Sequence, residues 1–174
     1  MDLIPSFSVD HTRIIPGIFE SRVDTLGSET VTTFDVRLKR PNREPSIDPA
    51  AMHTIEHIVA TYLRNHPDWK DKLIYWGPMG CLTGFYIIVK GRPAASEMYP
   101  IILESFRHLS AYEGEVPGAT PENCGRCLMH DLPMARWEAV KFVEYLENAD
   151  RNEIFEYPKA ERPTIGEGRK FFDS

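Results

Sequence analysis

The stretch Asp48–Pro67, DPAAMHTIEHIVATYLRNHP, predicts a long amphipathic helix at the centre of the fold. Asp48 is a favourable N-cap residue, Pro49 suits the first helical position, and Pro67 ends the helix. Four apolar residues recur at helical spacing and form the stripe that is buried: Ile55, Ile58, Val59 and Tyr62. We therefore expect this helix to pack against the core and to present the motif HTIEH, residues 53–57, from its middle.

The segments around this helix alternate in polarity or repeat at helical spacing, which predicts further strands and helices. Strands are predicted at residues 34–38, 72–76 and 85–89, and helices at 94–112 and 133–149. Residues 1–28 are mixed and rich in turn residues, so no element is predicted there. Because the elements do not alternate as βαβ units, we expect an α+β fold, mainly an antiparallel sheet packed against helices. One domain is expected over residues 1–174, with the charged segment 151–174 at its periphery.

Composition excludes several classes of protein. The chain has 174 residues and a net charge of -6, so it lacks the basic surface typical of nucleic-acid binders. No apolar run reaches the length of a membrane span, and the N-terminal residues do not resemble a signal peptide. The three cysteines form an odd set, Cys81, Cys124 and Cys127, which argues against a disulfide framework. We therefore expect a soluble cytoplasmic protein without nucleic-acid or membrane partners.

The motif HTIEH has the spacing of a metal site. His53 and His57 are four residues apart and lie one above the other on a single helix face, so they can share one ion. Glu56 is offset by about 100° from His57, where it can serve a metal-bound group without being a ligand. If Cys124 and Cys127 both bind, the site is closed and structural, whereas one thiolate leaves a position open for a substrate. The spacing allows both arrangements.

A further thiol, Cys81, follows a glycine at the junction between a loop and a strand. A substrate can reach a thiol there, and a nearby cation would favour the thiolate. An isolated cysteine is more often a small buried hydrophobe. The residues also indicate a solvated position for Arg37, and core or surface positions for the histidines outside the motif: His11, His66, His108 and His130.

Seven short stretches give the chain its resemblance to a known family. They are Ser6-Phe7, Asp10-His11-Thr12, Phe34-Asp35-Val36-Arg37, Pro41-Asn42, His53-Thr54-Ile55-Glu56-His57, Pro78-Met79-Gly80-Cys81 with Thr83-Gly84, and Cys124-Gly125, and His130-Asp131-Leu132 closes the set. In this order they resemble the S-ribosylhomocysteine lyases, the LuxS family, which makes the precursor of autoinducer-2 for quorum sensing. The resemblance implies an α+β fold and a homodimer with two active sites near the subunit interface.

The resemblance also implies roles for individual residues. The implied metal ligands are His53, His57 and Cys124, with water in the fourth position. One divalent ion is implied per subunit, Fe²⁺ with Zn²⁺ or Co²⁺ as substitutes, acting as a Lewis acid. The implied acid/base pair is Cys81 and Glu56. Residues associated with substrate binding are matched by Ser6, His11 and Arg37.

The implied reaction breaks the bond between sulfur and C5 of the ribose in S-ribosylhomocysteine. Elimination needs an acidic hydrogen at C4 and hence a carbonyl at C3, whereas the open-chain sugar has its carbonyl at C1. Two carbonyl shifts therefore precede a β-elimination that releases homocysteine and 4,5-dihydroxy-2,3-pentanedione. The products would serve signalling or the methyl cycle. No redox cofactor is needed, because these steps conserve the oxidation state.

Two other functions are compatible with the residues alone. H-x-x-E-H is also the signature of inverted zincins, which are metallopeptidases and would not need Cys81. A binding protein with a closed structural His₂Cys₂ site would instead need Cys127. The chain departs from the family pattern at Cys127, at Tyr75-Trp76-Gly77 before the Pro-Met-Gly-Cys string, and in the segment 151–174.

Overall fold

A computed structural model describes residues 9–158 and has three helices and four strands in that range. In chain order, the elements are β1 (Gly17–Leu26), β2 (Glu29–Arg37), α1 (Pro49–Asn65), β3 (Leu73–Pro78), β4 (Gly84–Lys90), α2 (Ala95–Ser110) and α3 (Leu132–Asn148). The strands form one sheet in the order β1-β2-β4-β3, and all three pairings are antiparallel. This arrangement confirms the predicted α+β class and the antiparallel sheet packed against helices.

Strand β1 is the element that the sequence did not predict. It pairs with β2 along its whole length through a tight turn at Gly27, whose positive φ of 66° suits a residue without a side chain. Its first three residues are all buried, and all seven later residues are partly or fully exposed. A strand that changes its surroundings in this way has no regular alternation of polarity, so its pattern could not identify it.

Helix α1 forms as its sequence predicts. The Asp48 carboxylate accepts hydrogen bonds from the backbone N–H groups of Ala50 and Ala51, at 2.8 and 3.4 Å, and so caps the first turn. The apolar side of α1 is buried in the core together with residues of α2, α3 and the sheet. On β2 and β4 the core side chains alternate along each strand: Phe34, Val36, Phe85, Ile87 and Val89. The helices therefore lie on one face of the sheet, and the residues between these positions face the other way.

The chain returns to the sheet after α3. The backbone N–H of Ile18 donates a hydrogen bond of 2.8 Å to the carbonyl oxygen of Ile154, which is fully buried in the core. Gly17 makes this approach possible, because a Cβ at that position would lie 2.6 Å from the Ile154 oxygen. The described part of the segment predicted to be peripheral, residues 151–158, therefore packs against the domain through Ile154. Residues 159–174 lie outside the described range.

None of the helices described between residues 9 and 158 is long and apolar enough to span a membrane.

Candidate metal centre and thiol site

Four metal-binding side chains converge beside α1. They are His53, His57, Cys124 and His130, and their ligand atoms all lie within 4.8 Å of one another. The two histidines of the HTIEH motif come from the middle of α1, and the other two residues come from the loop between α2 and α3. The structure thus brings together the three predicted ligands and adds His130, for which the sequence favoured a core or surface position.

Backbone carbonyls fix the orientation of both motif histidines. The Nδ1 atom of His53 lies 2.8 Å from the carbonyl oxygen of Met129, and Nδ1 of His57 lies 2.7 Å from that of Pro117. A carbonyl can only accept, so each Nδ1 carries the proton and each Nε2 keeps its lone pair. Each imidazole is therefore oriented so that Nε2 is the atom left to bind a metal ion, and the loop that supplies Cys124 fixes this orientation.

His130 is fixed in the same way by a threonine. The Thr54 hydroxyl donates to the carbonyl oxygen of Ala50 at 2.8 Å, so its oxygen can only accept from Nδ1 of His130, 3.3 Å away. The Nε2 atom of His130 consequently has a free lone pair, and it is buried without a hydrogen-bond partner among the described residues. Burial lowers the pKa of His130, and His53 and His57 beside it act in the same direction, which favours the neutral ring.

Ring geometry distinguishes His130 from the motif histidines. The rings of His53 and His130 are stacked, with centroids 4.3 Å apart and planes only 17° from parallel. The rings of His53 and His57 are nearly perpendicular, at 89°. Because an imidazole lone pair lies in the ring plane, one ion can lie in the planes of His53 and His57 but not in those of His53 and His130. The stacked arrangement therefore separates His130 from the pair of histidines that one ion can share.

Of the two cysteines in the loop, only Cys124 belongs to the cluster. Its Sγ lies 3.4 Å from Nε2 of His53, and the backbone N–H of Arg126 donates to the same sulfur at 3.4 Å. Cys127 is half-buried, has a free thiol, and is absent from the group of metal-binding atoms found among residues 9–158. The donor set of imidazole nitrogens and a thiolate fits a divalent transition-metal ion.

Cys81 lies in a second group, at the turn between β3 and β4. Its sulfur is 3.1 Å from the hydroxyl oxygen of Thr83 and 3.7 Å from Nη1 of Arg37. Arg37 is only 2% exposed and donates from Nε and Nη2 to the two carboxylate oxygens of Asp35, at 3.1 and 2.5 Å. The solvated position expected for Arg37 from its strand is therefore wrong, because the ion pair with Asp35 compensates the charge inside the protein. Cys81 is exposed, so a substrate can reach the sulfur.

Burial disfavours the charged forms of Asp35 and Arg37, and the attraction between their opposite charges counteracts this effect. Burial raises the pKa of the Asp35 carboxyl, while the Arg37 guanidinium and the Tyr157 hydroxyl act in the opposite direction. Burial disfavours the charge of Arg37, but the charge and hydrogen bonds of Asp35 hold the pKa of Arg37 above its ordinary value. The guanidinium therefore stays positively charged beside the sulfur.

A cavity of about 430 Å³ lies on the face of the sheet turned away from the helices. His11 and Arg37 line it, together with Tyr75, Tyr86 and Tyr157. Nδ1 of His11 is 2.9 Å from the carbonyl oxygen of Val9, which fixes that ring too. Ser6, the third residue that the resemblance associates with substrate, lies outside the described residues.

The predicted site residues thus form two groups. Glu56 lies half-buried on α1 next to His57, and its carboxylate has no hydrogen-bond or ion-pair partner within residues 9–158. In the same range no hydrogen bond or ring contact joins the metal-binding group to Cys81, Arg37 or Thr83. His130 and Asp35 are the additions that the structure makes. Both residues belong to the stretches that carry the family resemblance. The contact between His130 and Thr54 joins residues 76 positions apart, so no local sequence pattern could predict it.

Comparison with known proteins gives one consistent result. The model of the S-ribosylhomocysteinase (LuxS) family matches residues 4–153. An S-ribosylhomocysteine lyase of Phocaeicola vulgatus is 54% identical over 162 residues, which cover 92% of this chain and 100% of the relative. Relatives with the same description from Porphyromonas gingivalis and Clostridium acetobutylicum are 50% and 42% identical over 158 and 159 residues. These cover 91% of this chain and 99% and 100% of the relatives.

Proposed function

Because the chain belongs to the S-ribosylhomocysteinase (LuxS) family, we propose that it cleaves S-ribosylhomocysteine to homocysteine and 4,5-dihydroxy-2,3-pentanedione. The observation that carries this proposal is the pairing of an imidazole–thiol metal site with an exposed thiol held beside a buried guanidinium. A metallopeptidase has no use for Cys81, and a closed His₂Cys₂ site needs Cys127, which is not in the cluster. Neither alternative is supported.

We propose His53, His57 and Cys124 as the ligands of one divalent ion per subunit. The perpendicular rings of the two histidines and the short distance from Cys124 to His53 support this set. The bound ion would supply Lewis acidity at the sugar oxygens. Imidazole and thiolate accept several first-row ions, and we propose Fe²⁺, with Zn²⁺ or Co²⁺ as substitutes.

Cys81 is the group that moves protons between carbons. In each carbonyl shift the thiolate takes the proton from the carbon that becomes the new carbonyl and returns it to the former one. The oxygen of Thr83 accepts from Nη1 of Arg37, so its hydroxyl proton is free to donate to the sulfur. Two donors and a positive charge therefore support the thiolate that this step requires.

Glu56 moves protons between oxygens. Each carbonyl shift also transfers a hydroxyl proton to the oxygen of the former carbonyl, and a partly buried carboxylate that has no partner in the described part of the chain can carry it. In the elimination, a proton leaves C4, the electron pair forms the C4–C5 double bond, and sulfur departs from C5 and takes up a proton. The enol that remains then becomes the diketone.

His11, Arg37 and Ser6 are proposed to bind the substrate, and the site is proposed to be completed in a homodimer. The cavity beside His11 and Arg37 lies on the opposite face of the sheet from the helix that carries the metal-binding group. A second subunit that brings its own metal-binding group to this cavity would unite the two groups. A cytoplasmic location is proposed because the site needs Cys81 and Cys124 as free thiols. The product would serve autoinducer synthesis and the methyl cycle.

The test of this proposal is the release of a free thiol from S-ribosylhomocysteine. Protein purified without oxygen and loaded with Fe²⁺ is mixed with substrate, and homocysteine and the diketone are quantified separately. Both products are expected in equal amounts. A folded, metal-loaded protein that releases neither would contradict the proposal.

The cysteine pair in the loop offers a matched test of the metal site. Cys124→Ser is expected to weaken metal binding by at least about 10-fold, because it replaces a thiolate ligand by a poor one. Cys127→Ser, three residues away, is expected to retain one ion per chain. Metal content after dialysis, measured by plasma mass spectrometry, distinguishes the two variants. Loss of metal and unfolding in Cys127→Ser would instead indicate a closed structural site.

A further inference from the structure

The segment after α3 carries a tyrosine back to the face of the sheet that holds the cavity. Tyr157 stacks on Phe19, with ring centroids 4.7 Å apart and planes 14° from parallel. Its hydroxyl donates a hydrogen bond of 2.9 Å to Oδ2 of Asp35. The backbone bond between Ile18 and Ile154 holds the segment against β1 three residues earlier. The position of the hydroxyl is thus fixed at both the ring and the backbone.

Asp35 is a carboxylate with three donors among residues 9–158. Two come from the Arg37 guanidinium, and the third is Tyr157. With Asp35 only 1% exposed, water cannot substitute for a lost donor at little cost. Removing the tyrosine hydroxyl therefore leaves Oδ2 with a single donor and allows the carboxylate and the guanidinium to turn together.

The orientation of the Arg37 guanidinium determines which hydrogen-bond donors lie beside the Cys81 thiol. Nη1 of Arg37 donates 2.5 Å to the Thr83 oxygen and points toward the Cys81 sulfur at 3.7 Å. A rotation of the guanidinium weakens both contacts at once, because they share one nitrogen. The same rotation removes the hydrogen bond that the Thr83 oxygen accepts from Nη1. Without that bond, the Thr83 hydroxyl is no longer oriented to donate to the sulfur.

We propose that Tyr157 is a positioning residue for Cys81, acting through Asp35 and Arg37. Its significance for catalysis rests on the proposed function, whereas the line of contacts from Tyr157 to the sulfur does not. The hydroxyl serves as a donor throughout, since burial and the neighbouring Asp35 raise the pKa of Tyr157 well above its usual range.

The test measures the thiol directly and needs no substrate. The full chain and its Tyr157→Phe variant are treated with iodoacetamide at neutral pH, and alkylation of the Cys81 peptide is followed by mass spectrometry. The phenylalanine keeps the stacked ring but lacks the donor. Alkylation of Cys81 is expected to slow by about 3- to 10-fold, the range set by one hydrogen bond to a buried group.

Tyr99→Phe is the matched control. It also removes a buried tyrosine hydroxyl, one that donates 3.1 Å to the carbonyl oxygen of Leu146, away from the thiol. Its Cys81 is expected to react at the parent rate. Equal rates in the parent and in a folded Tyr157→Phe, or equal slowing in both variants, would overturn the proposal.

The two proposals fail separately. If alkylation slows in Tyr157→Phe while the parent protein releases no homocysteine, the positioning role stands and the lyase function falls. If the parent is an active lyase, the rate of the Tyr157→Phe variant is expected to fall by the same factor as its alkylation rate. An unchanged alkylation rate with full lyase activity in the parent removes the positioning role alone.

Discussion

Cys81→Ala is expected to lower homocysteine release by about 10³-fold, the middle of the range for loss of a general acid/base. The sulfur is the only thiol in the group formed with Arg37 and Thr83, and alanine leaves nothing there to accept a proton from carbon. Folding is expected to be little affected, because Cys81 is exposed and its replacement leaves the ion pair between Arg37 and Asp35 in place. The measurement is the initial rate of thiol release under anaerobic conditions.

Metal content and a second cysteine provide the controls for this result. Cys81→Ala is expected to keep one ion per chain, since Cys81 does not belong to the metal-binding group found in residues 9–158. Cys127→Ala removes a thiol of similar size and is expected to retain nearly full activity. A Cys81→Ala variant that still releases homocysteine at a tenth of the parent rate would exclude the thiol as the group that transfers protons.

The local sequence was sufficient for α1 and for the two imidazoles on it. The cap at Asp48, the apolar stripe and the spacing of four between His53 and His57 depend only on helix geometry. Resemblance to the family was needed for Cys124, because the spacing of the cysteines allowed an open or a closed site. The roles of all the site residues stay proposals: the acid/base pair Cys81 and Glu56, the substrate-binding residues Ser6, His11 and Arg37, and the three ligands.

Contacts between distant segments could not be predicted. His130 meets Thr54, and Tyr157 meets Asp35, 122 residues apart in sequence. A lone histidine or a tyrosine near the end of a chain has no pattern of its own that shows such a contact. The burial of Arg37 was missed for a different reason: its partner Asp35 is two positions away on the same face of the strand, but nothing local shows that this face is buried. In the sequence, Asp35 and Arg37 are only the polar positions of an alternating strand.

The two groups of site residues depend on the fold in different ways. The Nδ1 atoms of the motif histidines contact carbonyls of the loop between α2 and α3, so this loop determines the orientation of both imidazoles. The thiol group depends on the sheet, because Arg37 ends β2 and Thr83 precedes β4. Substitutions in the loop should therefore change metal affinity, and substitutions on the sheet should change the reactivity of Cys81.

Arg37→Met is expected to lower the free energy of unfolding by about 3–5 kcal/mol at neutral pH, the cost of leaving a buried charge without its partner. Both Arg37 and Asp35 are almost fully buried, at 2% and 1% exposed. Urea unfolding followed by circular dichroism measures the change. Arg107→Met is the matched control, because Arg107 donates to Glu147 at 2.6 Å but is 55% exposed. Such an exposed pair contributes at most about 1 kcal/mol.

The loss in Arg37→Met is also expected to depend on pH. Burial already raises the pKa of Asp35, and removing the guanidinium takes away the strongest opposing effect, so the pKa in the folded variant rises further. A carboxyl whose pKa is higher in the folded state favours folding most when it is protonated, and this advantage is lost as the pH rises through the folded pKa. The stability difference between variant and parent should therefore shrink as the pH is lowered from neutral through the folded pKa of Asp35 in the variant, while that of Arg107→Met stays constant. A difference that is independent of pH would mean that Asp35 is not the group left uncompensated.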